Sequence, residues 1–237
     1  ALKMSGVDQF CVRNCRFEGW GGSGIDMVGC HDGIVEDCHF VGRPGFSQSN
    51  GVQLKGGTTD ILVHGCRFEN AGQRSINLGG STGLQFFRPG VGDYEAKNIE
   101  IAGNRFEGSA APIAWVTAHG GRVHHNTIFK PQKWILRILQ ETKDAKFRPC
   151  HGGVFAHNLI LFDDKVQSFV NIGPRTAPAT FSFQHNAWYD LQGQRRPSLP
   201  TPETDGIYLR NLSLDQTGQK DGDLKISGSR LRNLGAH

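Results

Sequence analysis

The sequence predicts an all-β protein, a single-stranded right-handed parallel β-helix (a solenoid) of about seven coils. Three observations carry that prediction. A short motif recurs seven times with its columns in register. Glycine makes up 32 of 237 residues, about double the usual ~7%, and is scattered rather than gathered into linkers, as many tight turns require. No helical period separates the repeats, which removes a βαβ sheet; a β-sandwich would not hold the columns in register.

The repeat reads FCVRNCRF (10–17), GIVEDCHF (33–40), DILVHGCRF (60–68), NIEIAGNRF (98–106), GRVHHNTI (121–128), GVFAHNLI (153–160) and FSFQHNAW (181–188). Its last apolar column is Phe17, Phe40, Phe68, Phe106, Ile128, Ile160 and Trp188, at intervals of 22 to 38 residues. The shortest intervals are bare coils, and the longer ones are the same coil with loops inserted. Two positions earlier stand Cys15, Cys38, Cys66, Asn104, Asn126, Asn158 and Asn186. Stacked coils bring equivalent residues to ~4.8 Å, so the four asparagines are expected to form an internal amide ladder, with Cys15, Cys38 and Cys66 continuing it as small, buried, unreactive groups. One residue before that column come Asn14, Asp37, Gly65, Gly103, His125, His157 and His185. A metal reading accounts for the three histidines alone. A bend in left-handed backbone accounts for all seven.

A second strand follows each motif: GIDMV (24–28), GVQLK (51–55), SINLG (75–79), PIAWV (112–116), LRIL (136–139) and VNIG (170–173). Alternation turns Ile25/Met27, Val52/Leu54 and Ile76/Leu78 inward. The outward column is then Asp26, Gln53, Asn77, Ala114, Arg137 and Asn171. Inserts at 42–50, 79–97 and 140–152 adjoin this face.

The helix is assigned to residues 1–190, and 191–237 to a C-terminal extension that packs on it or closes it. Ala1 opens without the capping element a solenoid edge needs, so a preceding portion is expected. Net charge is +4 with no basic run. That balance excludes the concentrated stripe of a nucleic-acid binder and leaves room for a polyanionic substrate. No stretch approaches the ~20 apolar residues of a membrane span, and no membrane contact is expected. The six cysteines show no C-x-x-C spacing, so no zinc site is expected.

These columns resemble the pectate-lyase-like superfamily of right-handed parallel β-helices over roughly residues 5–190. Lyases, hydrolases, epimerases and phage tailspikes share that fold, so the resemblance implies architecture before activity. The stretch LKGGTTDILVHGCRFENAGQRSINLGG is similar to the catalytic coils of family 6 polysaccharide lyases, in which a lysine follows a strand and an arginine sits about one coil later. Lys55 matches that lysine. The arginine position falls on Asn77, with Arg74 three residues earlier. Of the acidic cluster that binds Ca²⁺ in that family, Asp26 is the only counterpart; no cofactor is otherwise implied. The tail GDLKISGSRLRNLGA (222–236) resembles a terminal motif of secreted bacterial β-helix proteins, with Arg230 where proline is usual. It implies a secreted or periplasmic bacterial protein.

The resemblance and the outward column together nominate a site. Lys55 and Arg74 are the candidate catalytic residues, Asp26, Gln53, Asn77 and Arg137 the candidate substrate-binding ones, with no metal ligand assigned. Uronate β-elimination needs a base for the C5 proton, a cation to neutralise the carboxylate, and an acid for the glycosidic oxygen. The expected partner is an anionic polysaccharide substrate, and the chain is expected to be a monomer. Three alternatives stay open: Lys55 is a solvated edge charge; the chain is a glycoside hydrolase, which needs two carboxylates such as Asp26 with Glu141 or Asp93; or it is a non-catalytic binding or adhesion solenoid. Trp20, Phe86, Phe87 and Tyr94 lie in loops, where they either stack on sugar rings or pin the loops down.

Overall fold

The computed structural model describes residues 2–193 and 195–209. It is a parallel β-helix of about eight coils, with three sheets that the chain visits in rotation. Sheet A is formed by Leu2–Ser5, Gly22–Val28, Gln48–Lys55, Arg74–Gly79, Ala111–Val116, Trp134–Leu139 and Ser168–Ile172. Sheet B is formed by Cys11–Arg13, His31–Glu36, Thr58–His64, Ala96–Ala102, Arg122–His124, Val154–Ala156, Ser182–Gln184 and Glu203–Thr204, with Ala118–His119 also pairing to its fourth strand. Sheet C is formed by Arg16–Glu18, His39–Val41, Arg67–Glu69, Arg105–Glu107, Thr127–Phe129, Leu159–Phe162, Ala187–Asp190 and Ile207–Tyr208. Every pairing is parallel.

The predicted columns are the observed registers. Phe17, Phe40, Phe68, Phe106, Ile128, Ile160 and Trp188 pair successively along sheet C. The four phenylalanine rings stack face to face, with centroids 4.8, 4.7 and 4.9 Å apart. Each such aromatic pair adds about 0.5–1.5 kcal/mol beyond the area it buries.

Between sheets B and C the chain turns through one left-handed residue per coil. All seven bend positions, including His125, His157 and His185, have φ between 52° and 65°. This is the bend reading of the histidines. Their rings stack at 5.0 and 4.8 Å as a consequence of the coil repeat. Among the described residues no group of three or more His, Cys, Asp or Glu is arranged to hold a metal ion.

The next residue of each turn points inward, and there the ladder forms. Asn126 Oδ1 accepts the Asn104 backbone N–H at 2.9 Å and its Nδ2 at 3.0 Å. Asn158 does the same for Asn126, and Asn186 for Asn158. All four asparagines are fully buried. At the top, Asn104 Oδ1 accepts the Cys66 N–H at 2.9 Å, and Cys66 Sγ accepts the Cys38 N–H at 3.4 Å. Cys38 and Cys66 are buried free thiols, and burial pushes the Cys66 thiol up to about 12.

Cys15 departs from the expectation: it is exposed. It lies in the edge coil of sheets B and C, where no further strand among the described residues covers its column. At the other end the column reaches Gly206, which has no amide side chain. Glu203 closes the ladder instead, accepting the Asn186 N–H at 3.0 Å and the Trp188 Nε1–H at 3.1 Å. Glu203 and Ile207–Tyr208 add the coil beyond the seven read from the motif. The 222–236 pattern lies outside the described residues.

Candidate functional site

The outward column of sheet A is continuous. Lys3, Asp26, Gln53, Asn77, Ala114, Arg137 and Asn171 are register partners on successive coils. Over its middle coils lies an open groove of about 520 Å³ lined by Gln53, Lys55, Arg74, Asn77, Arg137 and Glu141, among others. Five of the six nominated residues therefore share it. Asp26 lies beside it, its Oδ1 3.3 Å from Lys55 Nζ and its Oδ2 3.8 Å from Lys3 Nζ.

The floor is made of amides. Asn77 Nδ2 donates to Gln53 Oε1 at 3.1 Å and to Gly79 O at 3.0 Å, and Gln53 Nε2 donates to the same carbonyl. Asn50 Nδ2 donates to Gln53 Oε1 at 2.6 Å. Gly79 is required here: its φ is 103°, and a Cβ would stand 1.8 Å from Val116 O. Gln53 and Asn77 are buried. They shape the floor and leave the charged residues to meet a ligand.

Arg74 reaches the groove against its parity. Alternation from Asn77 would turn it inward with Ile76. As the first residue of its strand it escapes that constraint, donating to Asn77 Oδ1 at 3.1 Å and to Glu141 Oε1 at 2.6 Å. Trp134 occupies the equivalent strand-start position two coils on and forms a wall that the sequence reading missed. The Lys133 ammonium and the Arg137 guanidinium each lie 4.3 Å from its ring centre. Arg137 also donates from Nε to Asn171 Oδ1 at 2.9 Å. Burial, then the neighbouring Arg74, lower the pKa of Arg137 from its usual value. A groove holding Lys55, Arg74, Lys133 and Arg137 against the carboxylate of Glu141 carries an excess of positive charge.

The loop aromatics divide. Trp20 is buried, its ring edge-on to Phe40 and its Nε1–H donating to Asn50 O at 2.8 Å. Phe87 is buried against Phe147. Phe86 is exposed. Tyr94 faces a different groove, on sheet B.

One buried carboxylate organises the loops around the site. Glu95, fully buried, accepts Thr82 N–H at 2.7 Å and Thr142 Oγ1–H at 2.6 Å on Oε1, and Gly56 N–H at 2.8 Å and Thr82 Oγ1–H at 2.7 Å on Oε2. No cation among the described residues pairs with it. It clamps the 79–97 insert, the 140–152 insert and the Gly56 turn into one wall. Arg148 to Asp93 at 2.9 Å and Lys146 Nζ to Val91 O at 2.8 Å tie the same two inserts further out.

Compared with known proteins, the chain matches no family model, no curated protein and no solved structure.

The residues beside the groove do not fit a Ca²⁺ ion. Asp26 is a single carboxylate already set against two ammonium groups, whereas Ca²⁺ takes six to eight oxygen ligands.

On the far side of the wall, His119 makes stability depend on pH. Burial, then the adjacent His151, pull its pKa from 6.5 down to about 4. Between those pH values the unfolded chain binds the proton and the folded chain does not. The contribution is therefore complete above pH 6.5 and is lost as pH falls towards 4, roughly 3 kcal/mol in all. His157, lowered by burial and His185, acts in the same direction. Unfolding free energies measured at pH 7 and pH 4.5 are expected to differ less in His119→Asn than in the parent chain; equal differences would remove His119 as the cause.

Proposed function

We propose that the sheet A groove binds an anionic, uronic-acid-containing polysaccharide and that the chain is a polysaccharide lyase of the pectate-lyase-like superfamily, exported and acting as a monomer. The observation that carries this reading is the juxtaposition of Lys55, Arg74 and Arg137 over an amide floor, beside the flat wall of Trp134. Side chains on adjacent coils stand ~4.8 Å apart, close enough for several to grip one sugar unit. Arg74 and Arg137 receive the carboxylate, since a guanidinium holds it through two parallel hydrogen bonds. With the carboxylate neutralised, Lys55, having first released its ammonium proton to water, takes the C5 proton as the free amine. The C5–H electrons form the C4=C5 double bond, the C4–O4 bond breaks, and the leaving oxygen is protonated from water.

The test is absorbance at the unsaturated-uronate band on a panel of uronate polymers. Lys55→Ala is expected to lower the rate by roughly 10²–10⁴-fold, the usual contribution of a proton-transfer group. Lys55 is 26% exposed and paired with Asp26, so a loss of stability of up to ~1 kcal/mol is expected alongside. Full activity in Lys55→Ala would exclude it as the base.

A second reading, a non-catalytic polysaccharide-binding module, is favoured by one observation: Lys55, Arg74 and Arg137 each already engage a protein group. A wild type inactive on every uronate polymer yet retarded by one in affinity electrophoresis would establish it. Glycoside hydrolysis ranks below both. Asp26 and Glu141 each lie against a cation, whereas a glycosidase keeps its acid protonated in an apolar pocket.

A further inference from the structure

The wall clamped by Glu95 has a groove on each side. The second, on sheet B, is larger, at about 690 Å³, and contains none of the residues of the first. It too is built from an outward column: His31, Thr59, Lys97, His119 and His151 are partners on successive coils. Gly120, Gly121 and Gly152, at φ 64°, 90° and 73°, put bare backbone along its floor. The rings of Tyr94 and His119 lie 5.3 Å apart at 57° to each other, and those of His119 and His151 4.5 Å apart at 42°, giving a wall of three tilted rings.

The polar groups here have capacity to spare. His151 Nδ1 lies 2.7 Å from Pro149 O. A carbonyl only accepts, so Nδ1 carries a proton, and in the neutral ring Nε2 presents its lone pair. Arg148 sets Nε 2.9 Å from Asp93 Oδ2, while its side chain is 69% exposed. The Lys97 ammonium lies over the Tyr94 ring, 5.7 Å from its centre, and close enough to Asp60 to help lower that carboxyl's pKa. Of the two acidic residues nearby, Asp93 is held by Arg148, and Asp60 accepts from Asn98. The groove thus offers two cations, one of them largely exposed, one imidazole acceptor and a row of three rings.

We propose that the sheet B groove is a second binding site for a carboxylate-bearing sugar unit, with Lys97 and Arg148 holding the carboxylate, His151 Nε2 accepting a sugar hydroxyl and the Tyr94–His119 wall packing against the ring. The ligand class is that of the sheet A groove, so the inference rests on that reading. Two sites on either side of one wall would let the chain hold an acidic polymer at two points, which raises apparent affinity without a new contact at either.

Two reporters separate the grooves. Histidine side chains line only the sheet B groove, so their ¹H–¹⁵N ring resonances report on it. Trp134 lines only the sheet A groove, so the part of the tryptophan fluorescence change that is absent in Trp134→Phe reports on that groove; Trp115, whose Nε1–H donates to Gly120 O at 3.0 Å under the sheet B groove, is left out by that subtraction. The probes are the tetramers of galacturonate, mannuronate and glucuronate, with uncharged cellotetraose as comparison. At least one uronate tetramer is expected to shift the His119 and His151 resonances saturably, at least tenfold more tightly than cellotetraose does. The shifts should vanish in Lys97→Ala/Arg148→Ala and persist in Lys55→Ala. Resonances unmoved by all three tetramers, moved equally by cellotetraose, retained in the double variant or lost in Lys55→Ala would each overturn the proposal. Failure of the first reading shows separately, as Trp134 fluorescence that none of the tetramers changes.

Discussion

Asn126→Leu is expected to destabilise the protein by about 3–5 kcal/mol, because an unpaired buried polar group costs about 1–3 kcal/mol. Leucine has a similar volume and keeps the packing, so the loss isolates the hydrogen bonds. The Asn104 N–H loses its acceptor at 2.9 Å, and the Ile101 and His124 carbonyls each lose a donor at 2.9 Å. Asn104 Nδ2 and Asn158 Oδ1 lose a ladder partner as well. The position is fully buried, so water does not replace these partners without opening the coil. Urea unfolding at fixed m-value reads the change. A cost below about 1 kcal/mol would mean that the apolar stacks, and not the ladder, hold the coils in register.

Glu95→Gln is expected to cost about 3–5 kcal/mol, since hydrogen bonds to a charged group are worth about 1.5–3 kcal/mol each. The substitution preserves shape and reverses the polarity of one oxygen. Each carboxylate oxygen accepts one backbone N–H, from Thr82 on Oε1 and from Gly56 on Oε2. Whichever way the glutamine amide is turned, its NH₂ faces one of those N–H groups. The threonine hydroxyls can rotate to accept; a backbone N–H cannot. The damage should be local. Amide exchange of Gly56 and Thr82 is expected to accelerate strongly while the ladder amides of Asn126 and Asn158 stay protected. Both grooves should weaken together, because Glu95 holds their common wall. Unchanged exchange at Gly56 and Thr82 would show that the two inserts hold without it.

The repeat made the coil order, the phenylalanine stack, the asparagine ladder and the left-handed bends legible, because each recurs at the same motif position and one coil corroborates the next. The outward column of sheet A was legible for the same reason. What escaped reading lies where periodicity fails. Trp134 enters the groove from the first residue of its strand, where alternation no longer binds; the nominated Arg74 enters in the same way, so its parity did not show how it reaches the site. Glu95 acts across two inserts that have no repeat to be compared with. Glu203 ends the ladder from a different motif position, replacing the amide that Gly206 lacks. Cys15 fits the motif yet is exposed, because exposure depends on the neighbouring coil and not on the residue's own segment.

The claim that the sheet A groove holds an anionic polysaccharide meets its most direct test in Trp134 fluorescence, titrated with uronate polymers and with a neutral glucan. The account predicts a saturable change with at least one uronate polymer, weakened by added salt as charge pairing is screened and lost in Arg74→Ala/Arg137→Ala. Fluorescence that ignores every uronate polymer, or answers the neutral glucan equally well, would contradict it.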